Sequence, residues 1–500
     1  MVSMPEQPVP KMDDSRLMRF SSGAAGEKPY RVIPLKPALD WSAWNVQNDA
    51  VTEQTTAPGT GGDPAEGFAK AAEMCNNNGH CRKFDAGTMC PSYRVTRDEK
   101  HLTRGRANTL RLALSGQLGT DGLASEAVNE AMDLCVGCKG CKRDCPTGVD
   151  MAKMKVEFLH HYKRKNGYTL KDKLIARLPD YAPLGARFAP ILNLRDKVPG
   201  LAKLSEKLLG FSEKRSLPQW QSKTFWNSAP VFASKEEVLG AKKPVVLFVD
   251  TFNAFFESDN ANSALKVLLA GEYTVGVATK KGANIGVSSG ALCCGRTYLA
   301  SGMVNEAREK LRELVAALLP YAQKGIAIVG LEPSCLLTLR DEALVIGFGE
   351  GLGEDAKLVS EHAFLLEEFL ANEVKTGKLD VLAAKLKPIY QPILLHGHCH
   401  QKAFDAVSPI MDVIKLIPGA KPELIESSCC GMAGSFGYEA SHYEVSMQMA
   451  ELSLLPAIRQ QPDAIVVADG TSCRHQIHDG TKGSQQREAI HVAQLLASQL

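Results

Sequence analysis

Four cysteines within eleven residues, closed by a proline, constrain this chain more than any other feature. The stretch LCVGCKGCKRDCPTG, residues 134–148, sets Cys135, Cys138, Cys141 and Cys145 in a CxxCxxCxxxCP run. Three thiolates at this interval can wrap one iron–sulfur cubane, while the fourth, displaced by proline, points to a neighbouring cluster in two-cluster ferredoxins. Structural zinc prefers two separated CxxC or CxxH pairs, which the compact run lacks. Helix-patterned segments flank it: SEAVNEAMDL (125–134) leads in and VDMAKMKVEFLHHYKRK (149–165) leads out.

A second stretch, CNNNGHCRKFDAGTMCP (75–91), aligns with the first. Cys75 and Cys81 are spaced as Cys135 and Cys141 are, Asn78 takes the middle place, and Cys90 with Pro91 supplies the displaced cysteine after a longer insertion. Cross-ligation then assigns Cys135, Cys138, Cys141 and Cys90 to one 4Fe-4S cluster. Cys75, Cys81 and Cys145 are left to hold a second with three thiolates. Its missing ligand is Asn78, His80 or water, or the cluster is a three-iron form; the alternative is a single cluster, with Cys75 and Cys81 as small buried hydrophobes. Arg82, Arg104 and Arg106 either donate hydrogen bonds that raise a cluster's potential or pair at the surface.

The chain has 14 cysteines, seven between Cys75 and Cys145 and seven from Cys293 onward. In a reducing compartment such thiols are ligands or redox groups rather than disulfides. The second seven fall in a repeat. KPVVLFVDTF (243–252), a helical NSALKVLLAG, Cys293-Cys294-Gly295 and GIAIVGLEPSC ending at Cys335 form one series. PILLHGHCHQ (392–401), SPIMDVIKLI, Cys429-Cys430-Gly431 and DAIVVADGTSC ending at Cys473 form the other. Two α/β units related by pseudo-twofold symmetry follow, with cysteines just beyond the carboxyl ends of apolar strands, where parallel sheets place ligands.

Successive side chains diverge in regular structure, so a CCG turn relaxed by glycine is what lets adjacent thiolates face one centre. The second unit offers a full set, Cys399, Cys429, Cys430 and Cys473, with His396, His398 and His400 as proton donors or alternative ligands. The first offers Cys293, Cys294 and Cys335, and has DTF (250–252) where the second has HCH. One thiolate short, it is either a second metal site or a repeat kept for packing.

Five hundred residues exceed one ordinary core. The reading is an N-terminal extension and linker over 1–63, a helical ferredoxin-like domain over 64–165, a helical connector over 166–240, a first CCG unit over 241–345, a second connector over 346–390 and a second CCG unit over 391–500. The fold class is mixed, a helical iron–sulfur domain followed by α/β units. A net charge of +2 argues against broad affinity for nucleic acid or anionic lipid. The N-terminus lacks the pattern of a secretory signal, and no apolar run approaches the roughly 20 residues of a membrane span. The expected location is the cytoplasm, or the inner membrane face with at most peripheral association.

CRKFDAGTMCPSYRVTRDE (81–99), TRGRANTLRLALSGQLG (103–119), CKGCKRDCPTGVDMAKMK (138–155) and HGHCHQKA (396–403) resemble the iron–sulfur half of FAD-linked oxidases of the D-lactate and D-2-hydroxyglutarate dehydrogenase type. The domain order also resembles the glycolate oxidase iron–sulfur subunit and the ferredoxin-and-CCG subunit of anaerobic glycerol-3-phosphate dehydrogenase, and the CCG units resemble the CCG subunit of heterodisulfide reductase. The resemblance covers about residues 30–500 and implies an electron-transfer subunit of a 2-hydroxyacid dehydrogenase. Electrons would pass from a flavoprotein partner to a quinone or other acceptor, with no flavin on this chain. PKMDDSRLMRF (10–20) looks like the tail that joins the two halves of such oxidases, so this chain is expected to be one partner of a split enzyme. The competing readings are disulfide chemistry at a CCG cluster and a zinc-binding scaffold without redox activity.

Overall fold

The computed structural model describes residues 33–44, 65–83, 87–228, 232–280, 290–349, 351–483 and 485–500. Most of the expected extension over 1–63, including PKMDDSRLMRF, lies outside the described residues. Its segment 33–44 is docked on the body: the Glu157 carboxylate accepts from the backbone N–H groups of Ala38 (2.7 Å) and Leu39 (3.0 Å) and from Trp41 Nε1 (3.0 Å).

The first domain is helical, with Phe68–Glu73, Pro91–Thr96, Thr103–Leu114, Glu126–Asp133, Gly140–Asp144 and Met151–Asn166 as its principal helices. Proline opens the helix after Cys90, where its missing N–H costs nothing. Asp150 caps the long helix by accepting from Lys153 N at 3.0 Å.

Two four-stranded parallel sheets follow. Strands β1 (Pro244–Phe248), β2 (Thr274–Val277), β3 (Ile328–Gly330) and β4 (Ala363–Leu365) are ordered β2-β1-β3-β4; β5 (Ile393–Leu395), β6 (Pro422–Leu424), β7 (Ile465–Val467) and β8 (Ala489–Ile490) are ordered β6-β5-β7-β8. The apolar runs in the inner strands fit sheets covered on both faces. The shared order carries the repeat, and in each sheet the chain changes direction between the first and third strands of its unit, where such sheets open a crevice for ligands. Residues 346–390, expected as a helical connector, also contain β4, which pairs with β3 and completes the first sheet. Three residues are too short to show an alternating pattern beside two strong helices.

The iron–sulfur domain is clamped to both units. Buried Lys139 meets Asp341 at 2.5 Å and Glu342 at 2.8 Å in the first. In the second, His400 Nε2 donates to the Gly137 carbonyl at 3.1 Å, and His442 Nε2 lies 3.1 Å from the Asp133 carboxylate. Among the described residues, no helix is long and apolar enough to cross a membrane.

Candidate metal centres

Cys90, at the mouth of its helix, and Cys135, Cys138 and Cys141, on the loop and first turn of another, line one cavity. All four are buried. The backbone N–H of Thr103 donates to Cys90 Sγ at 3.1 Å and that of Met151 to Cys141 Sγ at 3.3 Å, contacts that favour the thiolate. Burial, and then the neighbouring thiols Cys399, Cys141 and Cys135, pushes the Cys138 thiol up; burial does the same at Cys141. Four sulfur donors converging on one cavity, two of them with N–H groups aimed at the sulfur, fit a 4Fe-4S cluster, whose iron would supply the positive charge that the buried sulfurs lack.

Of the remaining cysteines of this domain, Cys75 and Cys81 are buried and Cys145 is less so. The Cys81 and Cys90 thiols interact, which raises Cys81 and holds Cys90 down at about 6, and Cys75 adds to the charge around Cys81. Cys90 therefore stands between two thiol groups. Cys145 is half-buried, with its Sγ 3.3 Å from Thr147 Oγ1. Asn78 is occupied locally: its carbonyl accepts from His80 N at 2.8 Å and its amide donates to Asn76 at 2.6 Å. The three arginines divide. Arg82 and Arg104 pair with Glu99 at the surface, whereas buried Arg106 lines the four-thiol cavity and donates to the Ala131 carbonyl and Ser92 Oγ.

The second unit gathers Cys399, Cys429, Cys430 and Cys473, all buried. The neighbouring Cys429 thiol brings Cys399 down to about 6, and the Cys429 and Cys473 thiols beside Cys430 lower it. Two of the four thus favour the thiolate. Lys402, itself buried, stands beside the set, held by the carbonyls of Ser427 and Ser428. His396 Nδ1 lies 2.9 Å from Ser427 Oγ, burial brings its ring down to about 4, and its donor atom lies with those of Cys430 and Cys473 within 4.8 Å of one another. Gly431 makes the turn: at φ +89° an added Cβ would sit 2.3 Å from the Ser446 carbonyl oxygen.

The first unit brings Cys293, Cys294 and Cys335 into contact, but their chemistry is opposite. Hydrogen bonding to Cys294 and burial raise Cys293, and Cys294 is raised as well. Although Cys294 donates to it, burial with Asp250 and Glu332 nearby pushes Cys335 up to about 12. Asp250 caps the helix after β1 and His398 caps the helix after β5, so Thr251 stands where Cys399 does in the second unit. An acidic cap replaces a neutral or cationic one, and the fourth sulfur is missing.

Two features join the centres. Cys138 packs in one apolar cluster with Cys399, Cys429, Cys430 and Cys473, so the four-thiol cavity and the second unit's set lie back to back. On its other side a cavity of about 430 Å³, a small-molecule size, opens on Cys135, Val136 and Gly137 and is walled by Lys155, Phe436 and His442. The sequence gives little warning of Lys139, Lys402 or the buried Arg474–Glu257 pair linking the two units. Each reads as an ordinary surface charge until the fold buries it.

Comparison with known proteins matches a 4Fe-4S dicluster domain over residues 71–149 and a cysteine-rich domain twice, over 268–340 and 393–478. The chain is 27% identical to a D-2-hydroxyglutarate dehydrogenase of Escherichia coli (strain K12), covering 82% of this chain and 42% of that protein. It is 25% identical to a subunit of the anaerobic glycerol-3-phosphate dehydrogenase of the same organism, over 66% of this chain and 78% of the relative. With a probable glycolate oxidase iron-sulfur subunit of Bacillus subtilis (strain 168) it shares 22% identity, over 81% and 90% of the two chains. The chain spans less than half the length of the curated D-2-hydroxyglutarate dehydrogenases it matches.

Proposed function

We propose that this chain, a 4Fe-4S dicluster domain joined to two cysteine-rich domains and related to oxidoreductase subunits, is the electron-transfer component of an FAD-linked 2-hydroxyacid dehydrogenase. A flavoprotein oxidises D-lactate, glycolate or D-2-hydroxyglutarate, and this chain relays the electrons to a quinone or other acceptor. The observation that carries the reading is the packing of Cys138 against the four-cysteine set of the second unit.

Iron–sulfur clusters supply one-electron transfer, which splits the two-electron delivery of a flavin. The chain's own residues do the rest. Cys90, Cys135, Cys138 and Cys141 bind the first centre; Cys399, Cys429, Cys430 and Cys473 bind the second. The His400 to Gly137 hydrogen bond fixes the distance between their loops, and Lys402 offsets thiolate charge. Cys75, Cys81 and Cys145 are assigned to the other site of the dicluster. The cavity beside Cys135 gives a small acceptor or a partner's prosthetic group access to the first centre.

In the complex with its flavoprotein, Cys138→Ser is expected to abolish hydroxy-acid-dependent reduction of an external dye while flavin bleaching by substrate persists. Dye reduction at the wild-type rate would remove this centre from the path. A zinc-holding scaffold is the second reading, favoured by the convergence of His396, Cys430 and Cys473, donor types that zinc accepts. Metal analysis separates the two, since the electron-transfer reading requires iron and acid-labile sulfide.

A further inference from the structure

The helices between the iron–sulfur domain and β1 carry an inverted surface. Of the 19 exposed large apolar side chains among the described residues, nine fall within residues 184–208, Leu184, Phe188, Ile191, Leu194, Leu204 and Leu208 among them. The helix Leu201–Leu209 buries no residue at all.

Polar side chains of the same stretch turn inward. Asn193 exchanges hydrogen bonds with the backbone of Trp220 at 2.9 Å in both directions. Arg195 donates to the carbonyls of Ser212 and Arg215 at 2.7 Å, and Asp196 accepts from Leu217 N at 2.9 Å. The body of the protein holds the polar face and presents Ile191, Leu192, Leu194 and Val198 to the outside, the reverse of what a segment facing water alone favours.

Cations are interleaved with the apolar groups. Residues 184–208 contain five basic and two acidic side chains, Arg187, Arg195, Lys197, Lys203 and Lys207 against Asp196 and Glu206, a local charge of +3 in a chain of +2. Arg187, Lys197, Lys203 and Lys207 are exposed and meet no carboxylate in an ion pair among the described residues. Pro190, in the first turn of Ala189–Leu192, and Pro199, ahead of Leu201–Leu209, separate short helical pieces suited to lying along a surface rather than crossing it.

We infer that residues 184–208 are a docking face for an anionic lipid bilayer, seated at the headgroup boundary. Acyl chains match the leucines and phosphates match the exposed Arg187, Lys197, Lys203 and Lys207, so one partner satisfies both sets. The chain's small net charge hides this local concentration. The inference stands on this surface alone and does not depend on the electron-transfer reading.

The test is flotation of the full chain with phosphatidylcholine vesicles, with and without about 30 mol% phosphatidylglycerol. Binding to the anionic vesicles, weakened by salt, is expected. Leu204→Gln/Leu208→Gln and Lys203→Glu/Lys207→Glu are each expected to lower the partition coefficient at least about tenfold while circular dichroism stays unchanged. Absence of flotation overturns the proposal, as does flotation unaffected by either double variant. Sedimentation of the wild-type chain as a dimer that Leu204→Gln/Leu208→Gln dissociates, with no vesicle binding, would instead assign the face to a second copy.

Discussion

Asp250 and His398 occupy the same capping position in the two units, and this single difference helps decide what each unit's thiols can do. Beside Cys335 a buried carboxyl opposes ionisation; beside Cys399 an imidazole and Lys402 favour it. Geometry at the CCG turn is equally exacting. At Gly431 any side chain meets both a left-handed backbone and the Ser446 carbonyl, and Gly295 has only slightly more room, 3.0 Å to the Ala307 carbonyl oxygen. Gly431→Ala is therefore expected to cost about 3 kcal/mol and to lower metal content in the second unit, read by thermal unfolding together with iron and zinc analysis. Retention of both stability and metal would mean that the turn does not present these thiols.

At the scale of elements, the helix Met151–Asn166 anchors residues 33–44 through Glu157. Burial opposes ionisation of this carboxylate, but donors from His161, Ala38, Trp41 and Leu39 together outweigh it and hold its pKa below the ordinary range. A carboxyl depressed in the folded state contributes stability that is complete above its unfolded pKa and is lost as pH falls through the folded one. Glu157→Gln should cost about 2 kcal/mol at neutral pH, with a deficit that narrows below roughly pH 4.5, followed by denaturant unfolding with Trp41 fluorescence. A pH-independent deficit would contradict the charge assignment. The helical character of the dicluster domain and the repeated strand-CCG-strand order are legible because ligand spacing and apolar runs are local signals. The β4 strand is not, since three residues carry no period. Nor is the proximity of Cys81 to Cys90, whose interval departs from the spacing of the second run. Lys139 and Lys402 stay hidden for a related reason: nothing in their sequence neighbourhood encodes that two other elements will close over them.

At the scale of the whole molecule, the two CCG units are tied by a buried ion pair. Burial works against the Glu257 carboxylate, but Arg474 more than compensates and brings it down to about 2. Thr471 N adds a hydrogen bond to Glu332 at 2.9 Å across the same junction. Glu257→Gln leaves Arg474 buried without its partner and is expected to cost about 3 kcal/mol, read by thermal unfolding. The pair's contribution should be full above about pH 4.5 and fade as pH falls toward the folded value. A transition with the wild-type midpoint would contradict this contribution. The junction matters for function because it fixes the second unit against the rest of the body, including the dicluster domain at Gly137 and Asp133.

On the proposed reading, buried cysteines of the first domain hold iron–sulfur clusters next to the second unit. Anaerobically purified chain, supplied with iron and sulfide, can be followed by visible absorption and low-temperature paramagnetic resonance. Broad brown absorbance bleached by dithionite and a resonance signal of the reduced protein are expected, both diminished in Cys138→Ser. Colourless wild-type protein carrying zinc, silent after dithionite, would contradict that reading.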